Sequence, residues 1–118
     1  MEEESVYKVE ITPEAEKYYL DVLEYFYKHH SRDSADKKSE ALLIKAISLN
    51  SHPQRGRIEG CLTFLGKEHR YLLYKYTQNR SIKIIYFVEK KTKTVYITDF
   101  FPTKMNNIKI EKRNNPLE

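Results

Sequence analysis

Residues Ile82 to Val88 carry apolar side chains on both sides of an extended chain: Ile82, Ile84, Tyr86 and Val88 on one, Ile85 and Phe87 on the other. A strand of that kind needs cover on both faces, which makes it the central strand of a sheet and excludes a purely helical domain. Two further runs flank it, Arg70 to Tyr76 and Val95 to Phe101, both rich in β-branched and aromatic residues that suit a pleated surface. The breaks between the runs, Thr77 to Ser81 and Glu89 to Lys93, have hairpin length. The pattern predicts a three-stranded antiparallel meander, with the earlier part of the chain covering one face. In the last run, plain alternation puts Val95, Ile97 and Phe101 opposite Thr94, Tyr96, Thr98 and Phe100.

Upstream, Tyr7 to Thr12 alternates strictly and reads as a half-buried first strand whose place in the sheet the pattern leaves open. Thr12-Pro13-Glu14 is a helix start: Thr12 can cap, Pro13 has no N–H to leave unpaired, and Glu14 and Glu16 suit the positive end of the helix dipole. Ala15, Tyr18, Tyr19, Val22, Leu23 and Phe26 then form a helical apolar stripe ending near His29-His30. A second helix is expected from about Ala35 to about Asn50, capped by Asp33 or Ser34, with Ala35, Ser39, Leu42, Leu43, Ala46 and Ile47 on one face. The short link between the two predicts an antiparallel hairpin. Pro53 disfavours helix at His52, Gln54 to Gly60 is a basic loop, and Ile58 to Leu65 reads as a short irregular strand. Beyond Pro102 the chain shows no clear period, and residues 108–118 read as a basic tail, either a mobile arm or a short segment that orders on a partner. The whole is an α+β domain over residues 7–107, and 118 residues suffice for one modest core.

Composition narrows the function classes. No apolar run nears the ~20 residues that span a bilayer, and the Met1-Glu2-Glu3-Glu4 start has the wrong charge for a signal peptide. Cys61 is the sole cysteine, so the expected home is a reducing cytoplasm, with no membrane partner. Four His and one Cys lack metal-ligand spacing and three Gly make no phosphate loop, so no metal or nucleotide cofactor is expected. Net charge is +4, unevenly spread: residues 1–24 carry −6 and residues 52–118 carry +8. The basic half suits phosphate-bearing or acidic partners, or a solvated lysine surface.

Four stretches, in this order, resemble the RelE/ParE superfamily of bacterial toxins (plasmid stabilization proteins). They are Val9 to Glu16, the His52-Pro53 to Gly56 exit from the second helix, His69 to Tyr74 with its arginine, and Thr94 to Phe101 leading into Pro102 to Asn107. The resemblance implies a toxin held in check by a cognate antitoxin, acting either as a ribosome-dependent mRNA interferase or as a DNA gyrase poison. The chain departs from the ribonuclease members at Phe100-Phe101-Pro102-Thr103-Lys104, where they place a His or Tyr for acid–base work.

Arg70 matches the family's arginine and can grip a phosphate bidentately, or else pair with Glu68 or Glu89 at the strand end. His69 is a candidate general base, and the resemblance implies Glu59 as the counterpart of the ribonuclease branch's catalytic glutamate, although the segment between Glu59 and Arg70 is shorter here than in that branch. Arg55, Arg57, Lys67, Lys83 and Lys104 are candidates for a common basic face, and Tyr74, Tyr76 and Tyr96 for stacking on bases. Tyr18, Tyr19, Tyr25 and Tyr86 read as packing, and Cys61 as a small buried hydrophobe. The basic loop beside Arg70 favours mRNA cleavage or ribosome binding, which is the reading expected from the sequence; the Phe100-Phe101-Pro102 ending suits the alternatives, a gyrase poison or a non-toxic binding module of the same fold.

Overall fold

The central run forms strand β4 (Arg80–Glu89) of a five-stranded mixed sheet in a computed structural model that describes residues 6–114. The other elements in chain order are β1 (Lys8–Ile11), α1 (Pro13–His29), α2 (Arg32–Ile47), β2 (Arg57–Ile58), β3 (His69–Thr77), β5 (Thr94–Pro102) and α3 (Ile108–Asn114). The strand order is β1-β5-β4-β3-β2, antiparallel except for β1, which pairs in parallel with β5. The meander is therefore the middle of a larger sheet: β1 takes one edge and the two-residue β2 the other. No helix among the described residues is long and apolar enough to cross a membrane.

Both faces of β4 are covered, as its composition requires. Ile82, Ile84 and Tyr86 enter a core with Ala15, Val22 and Phe26 of α1 and Ala35, Leu42 and Ala46 of α2. Ile85 enters a second, smaller core on the opposite face, with Leu62, Phe101 and Ile110. Plain alternation fails in β5. A bulge leaves Thr98 unpaired, because Tyr86 faces Ile97 while Ile85 faces Asp99. One extra residue reverses the parity of every later position in the strand. Val95, Ile97 and Phe100 thus line the helix-side core, while Asp99 and Phe101 turn to the other face.

The helices obey their local chemistry. Thr12 Oγ1 accepts the Ala15 N–H at 3.1 Å with Pro13 next in line, the expected start of α1. α2 starts earlier than predicted: Ser31, not Asp33 or Ser34, is the cap, accepting the Ser34 N–H at 3.2 Å. It also ends earlier, at Ile47, with a 3-10 turn after it, and Ile47 stays exposed. The strand expected at Ile58–Leu65 is a 3-10 turn from Gly60 to Leu65, since Leu62 serves as a plug for the second core.

The tail is the largest correction. Residues 108–114 are helical, with Asn106 Oδ1 accepting the Ile108 N–H and Ile110 fully buried against the sheet. A seven-residue helix gains little from its own propensity; here packing under the sheet supplies the order. Residues 115–118 of the expected tail lie outside the described residues.

Candidate functional site

His69 and Arg70 are neighbours on a strand, so their side chains leave opposite faces of the sheet. That separation governs the arrangement of the candidate residues.

Arg70 reaches toward the β2 edge. Its Nη1 donates to the Gly56 carbonyl at 2.7 Å and its Nη2 pairs with Glu68 at 2.5 Å. Of the two expected carboxylate partners it takes Glu68, while Glu89 accepts from the Lys91 N–H. The guanidinium borders a polar cleft of about 240 Å³, rimmed by Gln54, Lys67, Glu68, Glu89 and Lys90. Lys67, Arg70 and Lys90 share that cleft with Glu68 and Glu89, so it does not form a uniformly anion-seeking surface.

Glu59 lies under the other face. It is buried, and its Oε1 pairs with Lys83 Nζ at 2.7 Å. Its Oε2 accepts the Cys61 N–H at 3.2 Å, capping the 3-10 turn. Lys83 also sits 4.3 Å from the centre of the Tyr71 ring. Lys83 is therefore tied to a buried carboxylate and not free on a basic face. Cys61 beside them is half-buried, and burial, then the Glu59 charge, pushes its thiol above the usual value. A thiol so raised is a poor nucleophile.

His69 shares this lower face. It is 4% exposed, stands edge-on to Phe87 at 5.2 Å between ring centres, and has Nδ1 3.4 Å from the Lys67 carbonyl. Phe87 in turn stacks on Tyr96, with Lys67 above its ring. Burial is the main cause that holds the His69 pKa below its ordinary value, with the Lys67 charge adding and the Lys67 carbonyl and Glu59 opposing. Folded His69 thus resists protonation that the unfolded chain accepts near 6.5. Its contribution to stability is complete above that value and is lost as pH falls through the window below it. His69→Phe, which keeps a ring against Phe87, is expected to flatten the fall in melting temperature between about pH 7 and about pH 5. Thermal denaturation across that range checks it; an unchanged slope would show that His69 does not drive the loss.

The remaining candidates scatter. Arg55 closes the loop after α2, donating to the Ser51 carbonyl at 2.8 Å and to Ser48 Oγ at 2.6 Å. Arg57 is exposed on β2. Tyr74 is partly buried and packs on the helix-side core, where burial raises its pKa. Lys104 lies across the molecule over the Tyr25 ring, 5.2 Å from its centre. No single basic face gathers Arg55, Lys67, Lys83 and Lys104. Among the described residues no group of three or more His, Cys, Asp or Glu is placed to hold a metal ion.

Two groupings are not apparent from the sequence. Asp99, wholly buried, pairs with Arg113 at 2.7 Å and accepts from Asn114 at 2.9 Å; an acid inside the apolar run Ile97 to Phe101 is its one signal. Tyr25, His29, His30, Tyr76 and Arg80 meet where α1 ends over the β3–β4 hairpin, and nothing in their spacing joins them. Comparison of the chain with protein-family models, curated proteins and solved structures gives no match.

Proposed function

We propose that this chain is the toxin of a bacterial type II toxin–antitoxin module of the RelE/ParE type, acting by binding its target, DNA gyrase, rather than by cutting mRNA. Support for the family comes from the element order, a strand, a helix hairpin and then antiparallel strands, together with the four stretches that resemble it. Support for binding comes from one observation: the residues that cleavage would need are divided by the sheet, each with an intramolecular partner. Arg70 holds Gly56 and Glu68 on one side, while Glu59 is tied to Lys83 and His69 is buried on the other. A poison requires a surface and no acid–base pair. The cognate antitoxin would place an acidic or amphipathic segment across the sheet or against the helix hairpin, gaining on-rate from charge and affinity from a few apolar anchors.

One observation favours mRNA cleavage as a second reading. Glu68 is 57% exposed at its side chain, so its pair with Arg70 is weak and a phosphate can replace it. Induction without antitoxin separates the two. Growth arrest with DNA breaks and intact mRNA is the expected result. Cut mRNAs, lost in Arg70→Ala but not through a fall in melting temperature, would establish cleavage instead. No growth effect would remove the toxin reading altogether.

A further inference from the structure

The cluster at the end of α1 is the strongest feature that the toxin reading leaves unused. Two clefts meet there. One, of about 250 Å³, lies between α1 and the sheet and is lined chiefly by apolar groups, among them Val22, Ile82, Phe100 and Met105. The other, of about 440 Å³, is bordered by His29, His30, Thr77 and Arg80. Tyr25, Tyr76 and Lys104 line both and form the shared wall. Together the clefts fall in the size range of small-molecule sites, about 300–1,000 Å³.

Two cations and a histidine ring converge on that wall. Arg80 Nη1 donates to the Tyr25 hydroxyl at 2.9 Å, Lys104 lies over the Tyr25 ring, and the His29 ring lies 4.5 Å from the Tyr25 ring centre. Among the described residues no carboxylate pairs with Arg80, Lys104 or His29, and no acid borders the larger cleft. Arg80 directs a charged donor at a neutral phenol, an arrangement that an anion would improve. His30 sits deeper, with Nδ1 3.2 Å from Lys38 Nζ and a buried Nε2 that has no hydrogen-bond partner. Burial, then the charges of Lys38 and His29, hold its pKa below the ordinary value, which is consistent with a neutral ring at the back of a cationic cleft.

The apolar chamber decides what the anion carries. Asp21 is its one carboxylate, Arg113 on its wall is already paired with Asp99, and Val22, Ile82, Phe100, Pro102 and Met105 make an apolar surface beside the Tyr18, Tyr25 and Tyr76 rings. An uncharged hydrocarbon or aryl body fits such walls.

We infer that the paired clefts bind a small amphipathic carboxylate, its apolar body in the chamber beside Val22 and Phe100 and its head group at Arg80, Lys104 and His29. This site is independent of the toxin reading and lies away from Arg70.

The test is titration of the full-length protein with decanoate and 2-naphthoate, monitored by amide chemical shifts, with decanol and AMP as comparison probes. Saturable shifts centred on residues 22–30 at the end of α1, Arg80 and Lys104 are expected, with decanol at least about tenfold weaker. Arg80→Gln with Lys104→Gln, two exposed changes, is expected to weaken decanoate by about tenfold or more at unchanged melting temperature. Equal binding of decanol and decanoate, no loss in the double variant, or shifts elsewhere on the surface would overturn the proposal. Tighter binding of AMP than of either carboxylate would overturn it too, in favour of a nucleotide.

Discussion

Arg113→Ala is expected to lower stability by about 3–5 kcal/mol at neutral pH, the usual cost of stripping the partner from a buried charge. Asp99 is wholly buried and Arg113 16% exposed at its side chain, so solvent cannot replace the lost guanidinium. Arg113 also lies over the Tyr18 ring at 3.9 Å and near Phe101 at 5.1 Å, joining α3 to both α1 and β5. The effect should depend on pH. Burial raises the Asp99 pKa above its ordinary 3.8, with Arg113 the strongest opposing influence. The folded state therefore binds the Asp99 proton more tightly than the unfolded chain does. Stability from this group is complete below the unfolded pKa and falls as pH rises through the folded one. Without Arg113 the folded pKa climbs further, so the gap between variant and wild type should widen with rising pH and narrow in acid. Urea denaturation between about pH 4 and about pH 7 measures this. A gap that is constant with pH would mean that the loss is packing alone.

Gly56→Ala is expected to cost on the order of 3 kcal/mol, from overpacking together with a disturbed buried hydrogen bond. The backbone at Gly56 is ordinary, with φ −72°, so the requirement is space and not conformational freedom. A Cβ there would lie 2.8 Å from the Tyr71 carbonyl oxygen and would strike the Tyr86 hydroxyl. That hydroxyl accepts the Gly56 N–H at 3.0 Å and donates to the Pro53 carbonyl at 2.5 Å, tying the loop after α2 to the central strand. Tyr86→Phe should be destabilising by itself, because it leaves both backbone groups unsatisfied in a buried place. Combined with Gly56→Ala it should be less than additive, since the two changes disturb one contact. Because the Gly56 carbonyl also receives Arg70, Gly56→Ala should alter the amide shifts around Arg70. Strict additivity with no shift at Arg70 would refute the coupling.

The local part of this architecture is legible in the sequence because its causes are local. Thr12-Pro13 fixes the start of α1 through one cap and one missing N–H, and the stripe Ala15, Val22, Phe26 sets its buried face. Ile82 to Val88 declares a strand covered on both sides, and its two faces divide between the two cores as their parity requires. Other features depend on contacts between distant segments. The edge position of β1 and its parallel pairing with β5 result from the path of the helix hairpin, which alternation in Tyr7 to Thr12 does not encode. The Thr98 bulge reverses the faces of Asp99 and Phe101 and becomes visible only once β4 supplies a register. Helix α3 has too little propensity of its own and takes its order from Ile110 beneath the sheet and Arg113 on Asp99.

The candidate site divides along the same line. A residue type such as Arg70 or His69 names the chemistry that it can perform, and the sequence determined that much. Whether a side chain is free to perform it depends on its neighbours in space. Gly56, Glu68, Lys83 and Phe87 occupy the groups that the sequence offered, and the sheet sets Arg70 and His69 on opposite faces. Tyr25, Tyr76, Arg80 and Lys104, which nothing along the chain groups together, become a cationic wall because α1 ends over the β3–β4 hairpin. Strand parity and burial, set only when the five strands pair, decide which charges meet.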